Sequence, residues 1–188
     1  MDIKNIYIQS KKNYINALNC LEDSLDEISL LAEEIIKLKT NKKKVLIFGN
    51  GGSAAIAQHF ASELVVRYKK FREPIRAISL NSDTSIITAT ANDFDYENIF
   101  ERQIEAYCDH DDIVIGMSTS GKSKNILKAF ESAQNYTKNI FAFYGNNKDQ
   151  KNSEYLNIIN VNSSITSNIQ QLHLFIFHLI CEYIDETL

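Results

Sequence analysis

From Tyr14 onward, apolar residues recur at Leu18, Leu21, Leu25, Ile28, Ala32 and Ile35, in alternating steps of four and three. That is the period of an amphipathic helix with a narrow apolar seam, so the first ~38 residues are expected to be mostly helix. Such a seam packs on its own domain or on a second copy of the chain, and periodicity alone does not choose between them. Beyond it the pattern changes. Short apolar runs, KVLIFG (44–49), IRAISL (75–80), DIVIGMS (112–118), NIFAFYG (139–145) and YLNIINV (155–161), alternate with helical patterns near 54–68, 98–107 and 125–134, and a last helix is expected near 166–183. This β-α alternation predicts a parallel sheet covered on both faces by helices. With 188 residues and no internal repeat or proline-rich linker, the chain reads as one domain, a helical segment over about 1–40 followed by an α/β core over about 41–188.

Composition narrows the partners. Hydrophobic residues at 44% and charged residues at 23% are those of an ordinary globular protein, which sets aside disordered and fibrous classes. A net charge of −4 carries no basic excess for a phosphate backbone, so no nucleic-acid partner is expected. Lys42–Lys44 is the one tight basic run and reads as a solvated approach to the strand at Val45. Cys20, Cys108 and Cys181 are odd in number and form no CxxC pair, which argues against a disulfide framework and a thiolate zinc site and suits a reducing cytoplasm. No signal-like segment opens the sequence, and no apolar run approaches the ~20 residues needed to cross a bilayer.

Two of the expected strands end in loops unlike the rest: GNGGS (49–53) after the first and STSGKS (118–123) after the third. Each runs directly into a helix, so backbone N–H groups and the positive end of a helix dipole face whatever binds there. If the first and third strands are neighbours, both loops flank the topological switch point of a doubly wound sheet and share one crevice. Glycines allow close backbone approach, and Ser53, Ser118, Thr119, Ser120 and Ser123 add hydroxyls, a chemistry for a phosphate group. GMSTSGKS (116–123) also spells a Walker A loop. Yet the strands that follow run into FYGNN and NVNSS, without the acid a Mg²⁺-nucleotide site needs, and no nucleotide is expected.

Candidate acid-base residues sit on two helices. His59 and Glu63 are spaced i, i+4 on the helix opened by GNGGS, and the last helix carries Gln170, His173 and His178 among apolar neighbours. Each alone reads as an ordinary core or surface residue. Their location raises the stakes, because His59 and Glu63 lie roughly 9 to 15 Å along the helix from the presumed phosphate loop, a span that suits the far end of a sugar phosphate.

Together, GNGGSAAIAQHFASEL, ANDF (91–94), STSGKS and the final IQQLH…H resemble the sugar-isomerase (SIS) domain family, and within it the phosphoheptose isomerases, over essentially the whole chain. The resemblance implies a flavodoxin-like doubly wound five-stranded parallel sheet, with a long N-terminal helix, and a homotetramer with active sites at subunit interfaces. It also implies conversion of sedoheptulose 7-phosphate to D-glycero-D-manno-heptose 7-phosphate, and in some members a bound zinc. On matching positions Asn50, Gly51, Gly52, Ser53, Glu63, Asn92, Asp93, Ser118, Thr119, Ser120, Ser123 and Gln170 would hold substrate. Glu63 and His178 would be the acid-base pair, and His59, Glu63, Gln170 and His178 the metal ligands. A ketose-aldose exchange moves a proton between C1 and C2 through an enediol, which a carboxylate and an imidazole suit. The alternative is a non-catalytic relative that binds a protein partner such as a replication initiator.

Overall fold

A computed structural model describes residues 2–146 and 155–188. Asn147, the last residue of the FYGNN stretch, lies outside the described residues. The expected N-terminal helix is present in two pieces, α1 (Ile3–Asn19) and α2 (Leu25–Asn41), joined by a 3₁₀ turn over Cys20–Ser24. Three residues per turn instead of 3.6 rotates the apolar seam. Leu25, a seam position by spacing, is therefore 47% exposed, while Ile28, Leu31, Ala32, Ile35 and Leu38 turn into the core. The elbow is pinned from outside. The Ser24 hydroxyl donates to the Asn160 carbonyl at 3.3 Å and accepts the Asn160 N–H at 3.2 Å. Much of the seam thus packs on its own domain.

The sheet comprises β1 (Val45–Gly49), β2 (Ala77–Ser79), β3 (Ile113–Ser118), β4 (Ile140–Tyr144) and β5 (Asn157–Asn160), all parallel, in the order β2-β1-β3-β4-β5. This is the flavodoxin-like order, with its switch point between β1 and β3. Helices α3 (Gly52–Val65) and α7 (Thr166–Thr187) pack with α2 on one face. The other face carries α5 (Glu101–Tyr107) and α6 (Lys124–Ala133). Alternation along each strand feeds two cores: Ile47, Ile115 and Phe143 point to the first with Phe60 and Phe177, and Phe48, Val114 and Tyr144 to the second with Phe100 and Phe130.

Helix α4 (Thr84–Asp93) was not expected, since TSIITATAND is rich in β-branched residues that lose rotamer freedom in a helix. Its start is set by capping. The Asp83 carboxylate accepts the Ile86 N–H at 3.0 Å. The basic run also differs from expectation: Lys44 is no solvated charge, for its ammonium lies 2.6 Å from the fully buried Asp112 and 2.7 Å from Asp109. The buried carboxylate recruits it.

His173 on α7 is wholly buried, with Nε2 3.3 Å from the Tyr144 carbonyl, Phe143 edge-on to the ring, and Nδ1 without a hydrogen-bond partner among the described residues. Burial drives its pKa down to about 4, outweighing the carbonyl contact. It is a neutral core histidine.

At Gly116, in the middle of β3, a Cβ would lie 2.5 Å from Phe130 and 2.9 Å from Phe48. Gly116→Ala is expected to cost about 1–3 kcal/mol of unfolding free energy, read from urea titrations, because the rings it would displace are locked in a full core. His173 supplies a pH test. Its folded pKa lies below the unfolded one, so as pH falls from about 6.5 the unfolded chain binds a proton the folded chain refuses, and stability falls with pH. Between pH 7 and pH 5 the wild type should lose about 2 kcal/mol more than His173→Gln, measured by denaturant titration at each pH.

Candidate active site

The crevice begins with two loops that the sheet register sets side by side: Gly49, ending β1, pairs with Met117, next to the end of β3. Gly51 turns the first loop with φ +56° and Gly121 the second with φ +65°, the left-handed region that favours glycine. Among the described residues the N-cap positions of α3 and α6, Gly51 and Ser123, make no side-chain capping bond. In the second loop the hydroxyls of Ser118 and Ser123 lie 3.1 Å apart, and the Lys122 N–H donates to Ser120 Oγ at 3.2 Å. Ser53 and Ser118 are buried, Thr119 and Ser123 half-buried, and Ser120 exposed.

A pair of amides ties the loops together. Asn50 Nδ2 donates to Asn125 Oδ1 and Asn125 Nδ2 donates to Asn50 Oδ1, both at 2.9 Å. The Ile126 N–H donates to the same Asn125 Oδ1 at 3.0 Å, and a backbone N–H can only donate. That contact fixes which end of Asn125 is oxygen, and through it the orientation of Asn50. The Tyr96 hydroxyl, in a short 3₁₀ turn, adds a donor to Asn50 Oδ1 at 3.1 Å. Sequence reasoning missed both Asn125 and Tyr96. Asn125 had a visible signal, standing two residues past the serine loop; Tyr96 had none. The expected Asn92 and Asp93 are exposed at the end of α4, where their side chains bond each other at 2.8 Å.

The second part of the site lies along α3 and α7, which run side by side in the same direction. Their contacts follow a parallel course, with Gly52 against Gln170 at the start and, farther along both, Phe60 stacked on Phe177 at 4.1 Å and His59 against His178 at 5.2 Å. At Gly52 a Cβ would come within 2.6–2.8 Å of the Gln170 amide, so glycine is what lets Gln170 reach the first loop. His59 Nε2 is 3.1 Å from Glu63 Oε1, and Tyr68 stacks on the His178 ring at 5.4 Å. Burial first, then the neighbouring His59, lower the His178 pKa against the opposing pull of Glu63, so the imidazole is neutral near pH 7.

One ligand atom from each of His59, Glu63 and His178 lies within 4.8 Å of the others. Two imidazoles and a carboxylate form a donor set that can hold a divalent metal such as zinc. Gln170, grouped with them by resemblance, sits instead at the Gly52 end, about 12 Å of helix rise from His178 along α7. Within one chain the carboxylate and imidazoles converge, and the glutamine joins the loop region.

Residues 7–145 match the family model described as SIS domain. A phosphoheptose isomerase from Campylobacter concisus is 40% identical over 186 residues, covering 98% of this chain and 96% of that protein. A protein from Thermoplasma acidophilum described as a probable phosphoheptose isomerase is 42% identical over 163 residues, 87% of this chain and 90% of the relative. Among solved structures, a phosphoheptose isomerase from Francisella tularensis superimposes with a TM-score of 0.91 at 32% identity, covering 99% of this chain and 100% of that one. Near full-length identity of this order, together with the superimposable fold, places the chain in the SIS domain family, among the phosphoheptose isomerases.

Proposed function

We propose that the chain interconverts D-sedoheptulose 7-phosphate and D-glycero-D-manno-heptose 7-phosphate through an enediol, the first step toward nucleotide-activated heptose for lipopolysaccharide or capsule. The observation that carries this reading is the convergence of Glu63, His59 and His178 on one cluster, with His59 and Glu63 on the helix that the GNGGS loop opens. The phosphate is held by the backbone and hydroxyls of 118–123 and by Gly51, Gly52 and Ser53, with Asn50, Asn92, Asp93 and Gln170 contacting the sugar.

Glu63 removes the C1 proton of the ketose while His178 delivers a proton to O2, giving the enediol. Loss of the O1 proton and reprotonation at C2 then yield the aldose, with no net change in protons. The 3.1 Å contact with His59 holds the Glu63 carboxylate in place. A neutral imidazole suits His178 to both giving and taking a proton. His59, Glu63 and His178 would also hold zinc, with Gln170 joining from elsewhere in an assembly; such an ion supplies Lewis-acid polarisation of the sugar oxygens.

The active form is a cytoplasmic homotetramer with its sites at subunit contacts. What supports association is apolar surface on the single chain: Phe175, Leu179 and Tyr183 form an exposed i, i+4, i+8 stripe on α7, and Ile3, Tyr7 and Ile8 are exposed on α1. For the cytoplasm, the three cysteines are free, and burial pushes the Cys108 and Cys181 thiols up to about 12, leaving them unreactive. Among the described residues no helix is long and apolar enough to cross a membrane.

Incubation with sedoheptulose 7-phosphate in D₂O should yield the aldose with deuterium at C2 by NMR. Neither turnover nor exchange, from a folded oligomer supplied with zinc, would defeat the reading. Glu63→Gln should lower kcat at least 10²-fold, the lower end of what a positioned base contributes, with the fold retained by circular dichroism. For the metal, elemental analysis of protein purified with zinc should show bound ion that His59→Ala loses; equal content in both would remove His59 from the ligand set.

A further inference from the structure

Beyond the acid-base cluster, the ends of α3 and α7 are joined by a buried ion pair. Arg72 Nε lies 3.1 Å from Asp185 Oδ1, with the two side chains only 3% and 2% exposed. The rest of the guanidinium reaches mainly to α3: Nη2 donates to the Glu63 carbonyl at 2.7 Å and Nη1 to the Leu64 carbonyl at 2.8 Å, with Nη1 also 3.3 Å from the Glu73 carbonyl. These carbonyls belong to the last turn of α3, which has no following helical turn to satisfy them, and a cation there also complements the helix dipole. Asp185, on the last turns of α7, uses its other oxygen on the backbone N–H groups of Lys69 and Lys70, at 2.7 and 2.8 Å. That segment directly follows Tyr68, whose ring lies on His178.

We propose that Arg72 and Asp185 are positioning residues for the isomerisation: as one clamp they fix the helix end bearing Glu63, the helix bearing His178 and the Tyr68 ring against one another. The proposal rests on the reading of Glu63 and His178 as the acid-base pair. The physical argument is geometric. Glu63 supplies both the carboxylate at the cluster and, through its own carbonyl, a direct anchor to Arg72, so movement of the guanidinium moves the residue that takes the proton. A buried charge with one partner removed is strongly destabilising, whereas replacing both partners by apolar groups is often neutral. This difference separates holding the fold together from holding the site.

The test compares the wild type with Arg72→Lys and with the double variant Arg72→Met/Asp185→Leu. A lysine still pairs with Asp185 but its single ammonium cannot also hold both carbonyls. The double variant leaves no unpaired buried charge, but it strips Arg72 from the Glu63 carbonyl and Asp185 from the Lys69 and Lys70 N–H groups, so it should melt below the wild type while remaining folded. Both are expected to show kcat at least tenfold lower with KM for sedoheptulose 7-phosphate within about twofold. A clamp that served stability alone would leave kcat per folded subunit unchanged, so wild-type kcat in a folded variant overturns the proposal. If the double variant does not fold, Arg72→Lys decides by the same criterion. A second readout needs no turnover: the ring-current displacement of the His178 ring-proton resonances by Tyr68 should be lost in the variants. If the wild type proves not to be an isomerase, the reading of Glu63 and His178 fails by that result, while an unchanged His178 spectrum in the variants separately overturns the clamp.

Discussion

The site depends on β1 and β3 lying next to each other in parallel. At that place the helices leaving the two strand ends pass to opposite faces of the sheet, and the gap between them cannot be filled by backbone. The register that pairs Gly49 with Met117 brings both glycine- and serine-containing loops to that gap, and the Asn50–Asn125 amide pair holds them at a fixed separation. With its orientation dictated by the Ile126 N–H, the pair needs no reorganisation when a ligand arrives. Preorganised donors of this kind are where a protein gains most over water.

The second requirement is a way to connect the loops with the acid-base cluster. The parallel pairing of α3 with α7 provides it. Close approach at Gly52 and ring stacking of Phe60 on Phe177 mark successive levels of the helix contact, and the Arg72–Asp185 pair closes it just beyond the end of α3. His59 and Glu63 then meet His178 on the side where the helices are only half covered. Asp185 illustrates how the far end is stabilised: burial pushes its carboxyl up, but the N–H groups of Lys70 and Lys69 and the Arg72 guanidinium together bring it below the ordinary carboxylate range. A charge can stay ionised in a nearly dry site when both carboxylate oxygens are engaged by donors.

The strand pattern, the helix periods and the two unusual loops were readable in the residues because each is local: alternation of runs marks strands and helices, and glycine followed by hydroxyls marks an anion-binding turn. The i, i+4 spacing likewise placed His59 and Glu63 on one face of a helix. What the chain could not reveal by itself depends on residues far apart in sequence. Helix α4 follows from an Asp83 cap that overrides its β-branched composition, and the N-terminal helix breaks where Ser24 meets Asn160. Lys44 is drawn out of solvent by Asp112. Asn125, Tyr96 and Arg72 acquire their partners only when the sheet closes and α7 docks, since a polar side chain takes its role from what burial places within hydrogen-bond reach. Sequence alone determined the strands, most of the helices, the loops and the reactive residue types; tertiary structure decided which side chains meet, because contact across long separations is a property of packing and not of spacing.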